Sequence, residues 1–379
     1  MNTQPNDISQ ILPYGEMLRG FLEQPFIGKR DLKELLRRRG IFIPGSDKKD
    51  SIPILMSTLL SPDEFDWLLE CQKTHEDNLK IITQTIHWDS EDPILDALPK
   101  DFQLSSVCED IFANYNVVGN PNFVVVGKDK NHVKLEFNVE RTDMTRSFYS
   151  TKSMFTGFVD MEHDPKSKQL KIVLGHTAME TKSVASKASS ALIKYFKEIG
   201  AIKPTDYIKK ILFSCFNNEN RFNFLLEITQ NSASQIIPFE DILDFEIAPD
   251  STMSLPEGIQ WMENRIEDLK INGRTLHKTF FLEDGNYHGF LHLHHIESKY
   301  HFQIEKFKGM CVVNIGFTDY CKGKNPNSEL EVNVKSISFD NPPKGLIKTD
   351  IKKEILKEVE NLKMNAFEKH GTKGQGSAY

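Results

Sequence analysis

The spacing of apolar residues changes along this 379-residue chain, and that change limits the folds open to it. Up to about Tyr115 apolar side chains recur mainly every three or four residues, as on one face of a helix. From Asn122 onward they tend to alternate, as on a half-buried strand. Long helical patterns return at Ala178–Ile199, closed by Gly200, and at Thr349–Lys369. The pattern predicts an α+β fold: a helical N-terminal module, then two mainly antiparallel β regions that each end in a long helix. Three units are expected, residues 1–78, 79–248 and 249–379, with Ile247–Glu257 (containing Pro249, Asp250, Ser251 and Pro256) as linker.

Local signals refine this outline. Pro13–Leu22 reads as a helix, and Ser61-Pro62-Asp63-Glu64 is a capping box with proline at the first helical position. Ile81–Trp88 alternates as a strand, and Leu104–Ala113 reads as helix. Phe123–Val126 and Val133–Val139 flank a Gly127–Asn131 turn, while Ser153–Met161 and Leu170–Leu174 flank His163–Lys166, so two hairpins are expected. Asn217–Gln230 fits helix and strand equally, and Pro238–Phe245 reads as a short helix. Ile259, Met262, Ile266 and Leu269 predict a helix ending near Gly273. The β runs Thr279–Leu282, Gly289–Ile296, Tyr300–Phe317 (broken at Gly309) and Leu330–Phe339 follow. The final helix sets Ile351, Ile355, Val359, Leu362 and Phe367 against a charged face, as an amphipathic helix packed on a sheet or docked on a partner would.

Hydrophobic residues make up 39% and charged residues 27% of the chain, as in an ordinary soluble globular protein. The formal net charge of −7 argues against a generic coat for polyanions, so any phosphate contact must be local. No run of about eighteen apolar residues predicts a membrane span, and the N-terminus lacks the pattern of a secretory signal. Cys71, Cys108, Cys215, Cys311 and Cys321 are scattered, which suits a reducing compartment; a cytoplasmic location and no membrane partner are expected.

The charge is concentrated in one place. Between Ile27 and Leu60, Leu32, Leu35 and Leu36 form an apolar seam while Arg30, Lys33 and Arg37 stack on another face. Arg38 and Arg39 extend the cationic side to the helix end, and Gly40 stands where a left-handed cap belongs. A second helix is expected with Pro53 in its first turn and Ile54, Leu55, Leu59 and Leu60 on its apolar side. Leu32-Lys33-Glu34-Leu35-Leu36, Gly40, Gly45 with Lys48 and Lys49, and Ile54–Leu60 together resemble the SAP and helix-extended-loop-helix family of small DNA-binding modules. That resemblance implies largely sequence-nonspecific contact with duplex DNA through Lys29, Arg30, Lys33, Arg37, Arg38, Arg39, Lys48 and Lys49.

The longer runs ILPYGEMLRGFLEQPFIGKRDLKELLRRRGIF and SIPILMSTLLSPDEF, with NNENRFNFLLEITQ further on, resemble the accessory subunit of a two-gene, Gamma-Mobile-Trio-proximal anti-phage system. Such a resemblance implies a non-catalytic, DNA-binding or sensing subunit that acts in a complex with a PD-(D/E)XK-type nuclease.

Two other chemistries are weighed against it. His288, His292 and His294, if on one strand, would share a face and could meet at a metal ion. Asp284 followed by Glu297-Ser298-Lys299 loosely fits a PD-(D/E)XK nuclease, whose carboxylates hold a divalent ion beside a lysine. Glu136 and Glu140 share a strand face without any associated base. No Walker A run, G-x-G-x-x-G, G-x-S-x-G or H-E-x-x-H occurs, so no cofactor is expected and nothing in the sequence requires an enzyme. A protein-interaction scaffold without DNA contact is the remaining reading.

Overall fold

The computed structural model describes residues 12, 14–23, 27–45, 47–76, 78–110, 113–143, 151–230, 232, 234–341 and 347–371. Four helices open the chain: α1 (Glu16–Leu22), α2 (Lys29–Arg38), α3 (Lys48–Met56) and α4 (Pro62–Glu76). They enclose a core of their own, built from Leu18, Leu22, Leu32, Leu35, Leu36, Ile52, Leu55 and Leu68. Gly40, at φ 74°, ends α2. Its N–H donates to the Arg37 carbonyl and the Ile41 N–H to that of Leu36, the paired bonds of a Schellman cap. The Ser61 hydroxyl accepts from the Glu64 N–H at 3.2 Å while the Glu64 carboxylate accepts from the Ser61 N–H at 2.8 Å, which starts α4 as the capping box predicts.

The rest of the described chain is organised by one antiparallel sheet of twelve strands. The first group is β1 (Lys80–His87), β2 (Tyr115–Val118), β3 (Phe123–Val125), β4 (His132–Asp143), β5 (Thr151–Asp164), β6 (Gln169–His176) and β7 (Lys209–Lys210). The second is β8 (Phe239–Pro249), β9 (Leu269–Asn272), β10 (Leu291–Ile304), β11 (Phe307–Gly316) and β12 (Glu331–Phe339). The sheet runs β2-β4-β5-β6-β1-β12-β11-β10-β8-β9, with β3 beside β4 and β7 beside β1. Both expected hairpins are present, as β3–β4 and β5–β6.

β1 joins the two strand groups, pairing Ile82 with Leu174 on β6 and Ile81 with Val332 on β12. Its alternation also divides the helices. Between the described strands lie the short helices α5 (Ile94–Ala97) and α6 (Leu104–Val107), then α7 (Met179–Glu198), α8 (Asn218–Ile228), α9 (Phe280–Glu283) and α10 (Thr318–Gly323), and α11 (Ile347–His370) follows β12. Ile82 and Ile86 share a core with Val184, Ala188 and Leu192 of α7. Ile81 shares a different one with α8 and with Ile355 and Val359 of α11, and Thr83 bonds to Glu360 of α11. Successive strand residues point to opposite faces, so α7 covers one face of the sheet and α11 the other.

Several local expectations are corrected. Pro238–Phe245 is not a helix: β8 runs from Phe239 to Pro249, so the segment Ile247–Glu257 begins inside a strand. Ile259 and Met262 lie on a short 3-10 turn, and Leu269 opens β9. Thr279–Leu282 is not a strand, because Phe280–Glu283 forms α9. The break in the long β run falls at Glu305 (φ 51°), whereas Gly309 stays within β11. Asn217–Gln230 resolves as α8; within Leu104–Ala113, of which Ile111 and Phe112 lie outside the described residues, the described helix is Leu104–Val107. α3 starts five residues before Pro53, capped by Asp47, and Leu59 is 77% exposed.

Candidate functional site

The eight cations expected to contact DNA divide into two groups. Arg39 is 16% exposed and committed to the fold. Its guanidinium grips Glu64 at 2.6 Å (Nε–Oε1) and 2.5 Å (Nη2–Oε2), and donates to the Thr58 hydroxyl and the Leu59 carbonyl. It ties the end of α2 to the α3–α4 turn, and its grip holds the Glu64 carboxyl down at about 2. Lys48, too, turns inward, with Nζ 3.3 Å from the Leu22 carbonyl and 3.4 Å from that of Glu23 at the end of α1. A cation there suits the last turn of a helix. Lys33 sits between the groups, reaching the Gly45 carbonyl at 3.3 Å.

The others face solvent. Lys29, Arg30, Arg37 and Arg38 are exposed on α2, and Lys49 is exposed on α3 beside Asp47 at 3.7 Å. Arg38 lies over the Trp67 ring at 4.2 Å, and Glu34 stands 3.6 Å from Arg38 and 4.0 Å from Arg37. Lys29, Arg30, Lys33, Arg37 and Trp67, with Asp31 and Glu34, line an open groove of about 710 Å³. Lys29 and Arg30 occupy the first turn of α2, where a cation opposes the helix dipole. Asp31 offsets part of that cost by accepting the Gly28 N–H at 2.7 Å. The groove therefore joins cations and a helix N-terminus, features suited to a phosphate backbone, beside a Trp67 ring that carries the Arg38 guanidinium.

The residues proposed for other chemistry each have separate partners. Asp284 accepts the Asn286 N–H, Glu297 pairs with Lys335 at 2.7 Å, and Lys299 pairs with Glu240 at 2.8 Å. His288 lies in a 3-10 turn before β10 and stacks on Phe222, ring centroids 4.1 Å apart. His292 is held between the Tyr320 hydroxyl, 2.7 Å from Nδ1, and Asp250, 3.3 Å from Nε2. His294 is fully buried and contacts the His292 carbonyl through Nδ1 at 3.2 Å. Glu136 pairs with Lys134 on its own strand.

One grouping was not legible in the sequence. Asp244, Glu246 and His295 each offer a ligand atom within 4.8 Å of the other two. They meet because β10 is bulged between Leu293 and His295, which a one-dimensional pattern does not display.

Fold and surface define an α+β protein carrying a basic helical module at its N-terminus. Residues 16–78 match the family model described as GAPS4b protein N-terminal domain, a match consistent with a Gamma-Mobile-Trio-associated defence protein. No curated protein and no solved structure matches the chain. Among the described residues, no helix is long and apolar enough to cross a membrane.

Proposed function

We propose that the helical module grips duplex DNA through its phosphates, and that the chain is a non-catalytic DNA-binding or sensing subunit of a bacterial anti-phage defence complex with a nuclease partner. The observation that carries this reading is the groove beside α2. Lys29 and Arg30 stand at its rim in a helix turn that gains no stability from them. The match of residues 16–78 supplies the defence context. Lys29, Arg30, Lys33, Arg37 and Arg38 make the phosphate contacts, with Lys49 at the periphery and Trp67 keeping the Arg38 guanidinium in place. Lys48 and Arg39, also expected as contacts, serve mainly to hold the module in shape. Contacts of this kind give affinity without base reading.

Titrating fluorescent duplex DNA with the wild-type chain and with Arg37→Glu/Arg38→Glu, alone and with the companion nuclease, tests the reading. Binding weakened at least tenfold at low salt is expected; unchanged affinity in both settings contradicts it.

A further inference from the structure

Lys270 on β9 takes one oxygen from each of two carboxylates on β8: Glu246 Oε1 at 2.6 Å and Asp244 Oδ2 at 3.2 Å. The remaining oxygens turn towards two histidines of β10. Glu246 Oε2 lies 3.6 Å from His294 Nε2, and Asp244 Oδ1 lies 3.9 Å from His295 Nδ1. These separations are too long for hydrogen bonds. Asp244 Oδ1, His294 Nε2 and His295 Nδ1 are all buried with no hydrogen-bond partner. Unpartnered buried polar atoms are rare and call for a specific explanation.

His294 supplies the independent argument. It is 0% exposed, and its Nδ1 is 3.2 Å from the His292 carbonyl. A carbonyl only accepts, so Nδ1 carries a proton and Nε2 is the nitrogen turned towards the carboxylates. Nε2 faces Glu246 Oε2 and, at 3.8 Å, Asp268 Oδ1, an oxygen that Lys324 also holds at 2.5 Å. A buried ring nitrogen beside carboxylates is stabilised by a positive charge between them, either a ring proton or a bound cation. An imidazole that donates one N–H to a carbonyl and points its other nitrogen among carboxylates fits the outer shell of a metal site.

We infer that Asp244, Glu246 and His295 form a binding site for a divalent transition-metal ion, with His294 beside it against Glu246. Two ligands each roughly 2.0–2.2 Å from a tetrahedral ion stand roughly 3.3–3.6 Å apart, so the ligand atoms, 3.9 Å apart for Asp244 and His295 and within 4.8 Å throughout, would draw in slightly around an ion. A mixed oxygen and imidazole set favours Zn²⁺ and its first-row neighbours over Mg²⁺ and Ca²⁺, which prefer oxygen alone. The bulge in β10 is what brings His294 and His295 to the same side of the strand, opposite Leu293 and Ile296. Access is from the β9 edge, where Lys270 is 53% and Asp268 41% exposed. The site is distant in sequence from the DNA-gripping module and stands or falls separately.

The test is to load the full chain with Zn²⁺, dialyse, and measure bound metal by elemental analysis and affinity by calorimetry. Asp244→Asn and His295→Gln are compared with it, each checked for folding by circular dichroism. His301→Gln serves as an exposed-histidine control. One tightly bound ion per chain is expected, weakened at least tenfold in both site variants, unchanged in the control, and not displaced by millimolar Mg²⁺. Absence of binding, or binding that folded site variants retain, overturns the proposal. Equal competition by Mg²⁺ also overturns it, because the imidazole would then not be a ligand.

Discussion

Arg39 and Glu64 face each other across the N-terminal module in a two-pronged ion pair, 25 residues apart in the chain. Replacing Arg39 with alanine takes its donors away from Glu64, which keeps only the Ser61 N–H, and from Thr58 Oγ1 and the Leu59 carbonyl. The expected loss is about 2–3 kcal/mol of module stability, the scale of partly buried charged hydrogen bonds. Lys29→Ala, in the same helix, should leave stability within about 0.5 kcal/mol of wild type. Hydrogen exchange of the α2 and α4 amides separates the two outcomes.

At the other end of the chain, Lys363 is 0% exposed and its ammonium bonds to Glu360 at 2.5 Å and to the Thr83 hydroxyl at 3.0 Å. This network fastens α11 to β1, the strand that joins the two strand groups. Removing one partner strands a buried charge, so Lys363→Ala should cost about 3–5 kcal/mol. The paired replacement Glu360→Leu/Lys363→Met should cost far less than the sum of the single changes. A double-mutant cycle by urea unfolding measures the difference.

Acidification should remove stability in two stages. Burial lowers the pKa of His163 and of His288 in the fold. The unfolded chain then takes up more protons, so their contribution is complete above roughly pH 6.5 and declines below it. Glu64 is held at about 2 by Arg39. Burial alone would raise the Glu331 carboxyl, but His176, Lys182 and Thr318 outweigh it and hold it well below the usual range. A carboxylate with a depressed folded pKa contributes fully above its unfolded value, roughly 4.3, and loses that contribution as the pH falls. Urea midpoints between pH 8 and 3 should therefore be level above about 7, slope gently below about 6.5 and fall steeply below about 4.5. A midpoint that stays level down to pH 4 would exclude the histidine stage.

Gly309 lies in β11, where an added Cβ would run into the Ser338 carbonyl oxygen and the Phe302 ring. Gly309→Ala should lower stability by about 1–3 kcal/mol, as overpacking does. Thermal unfolding checks it, with exposed Gly119→Ala unsuitable as a control because Gly119 has φ 72°.

The same β-bulges explain which elements the sequence showed and which it hid. The capping box, the Gly40 cap and the two hairpins are written in a few adjacent residues, and each was legible. β8 was not. Ile242 and Phe245 are both buried, a spacing of three that reads as helix. In the sheet that spacing arises because β8 slips register against β10 between Glu297 and Ser298. β10 repeats the effect: Leu293 and Ile296 both face the core, with His294 and His295 together on the other side. The turn after β10 falls on Glu305, a residue type that seldom marks a left-handed position, so Gly309 drew the break instead. In the basic module the apolar seam and the exposed cations were readable. The burial of Arg39 against Glu64 and of Lys48 against α1 was not, because each partner is more than twenty residues away. The short 3-10 turns and the four-residue helix α9 carry too few residues for any period to emerge.

The central claim is that the α2 groove binds DNA by its phosphates, and the salt dependence of binding tests it most directly. The slope of log affinity against log salt for duplex DNA should be compared between wild type and Lys29→Ala/Arg30→Ala/Arg37→Ala, a variant that spares Arg39, Lys48 and the core. Each lost phosphate contact removes roughly 0.9 from the slope, so a drop of roughly two to three is predicted, together with weaker binding to every sequence. A slope and affinity matching wild type, with the module still folded, would contradict the account.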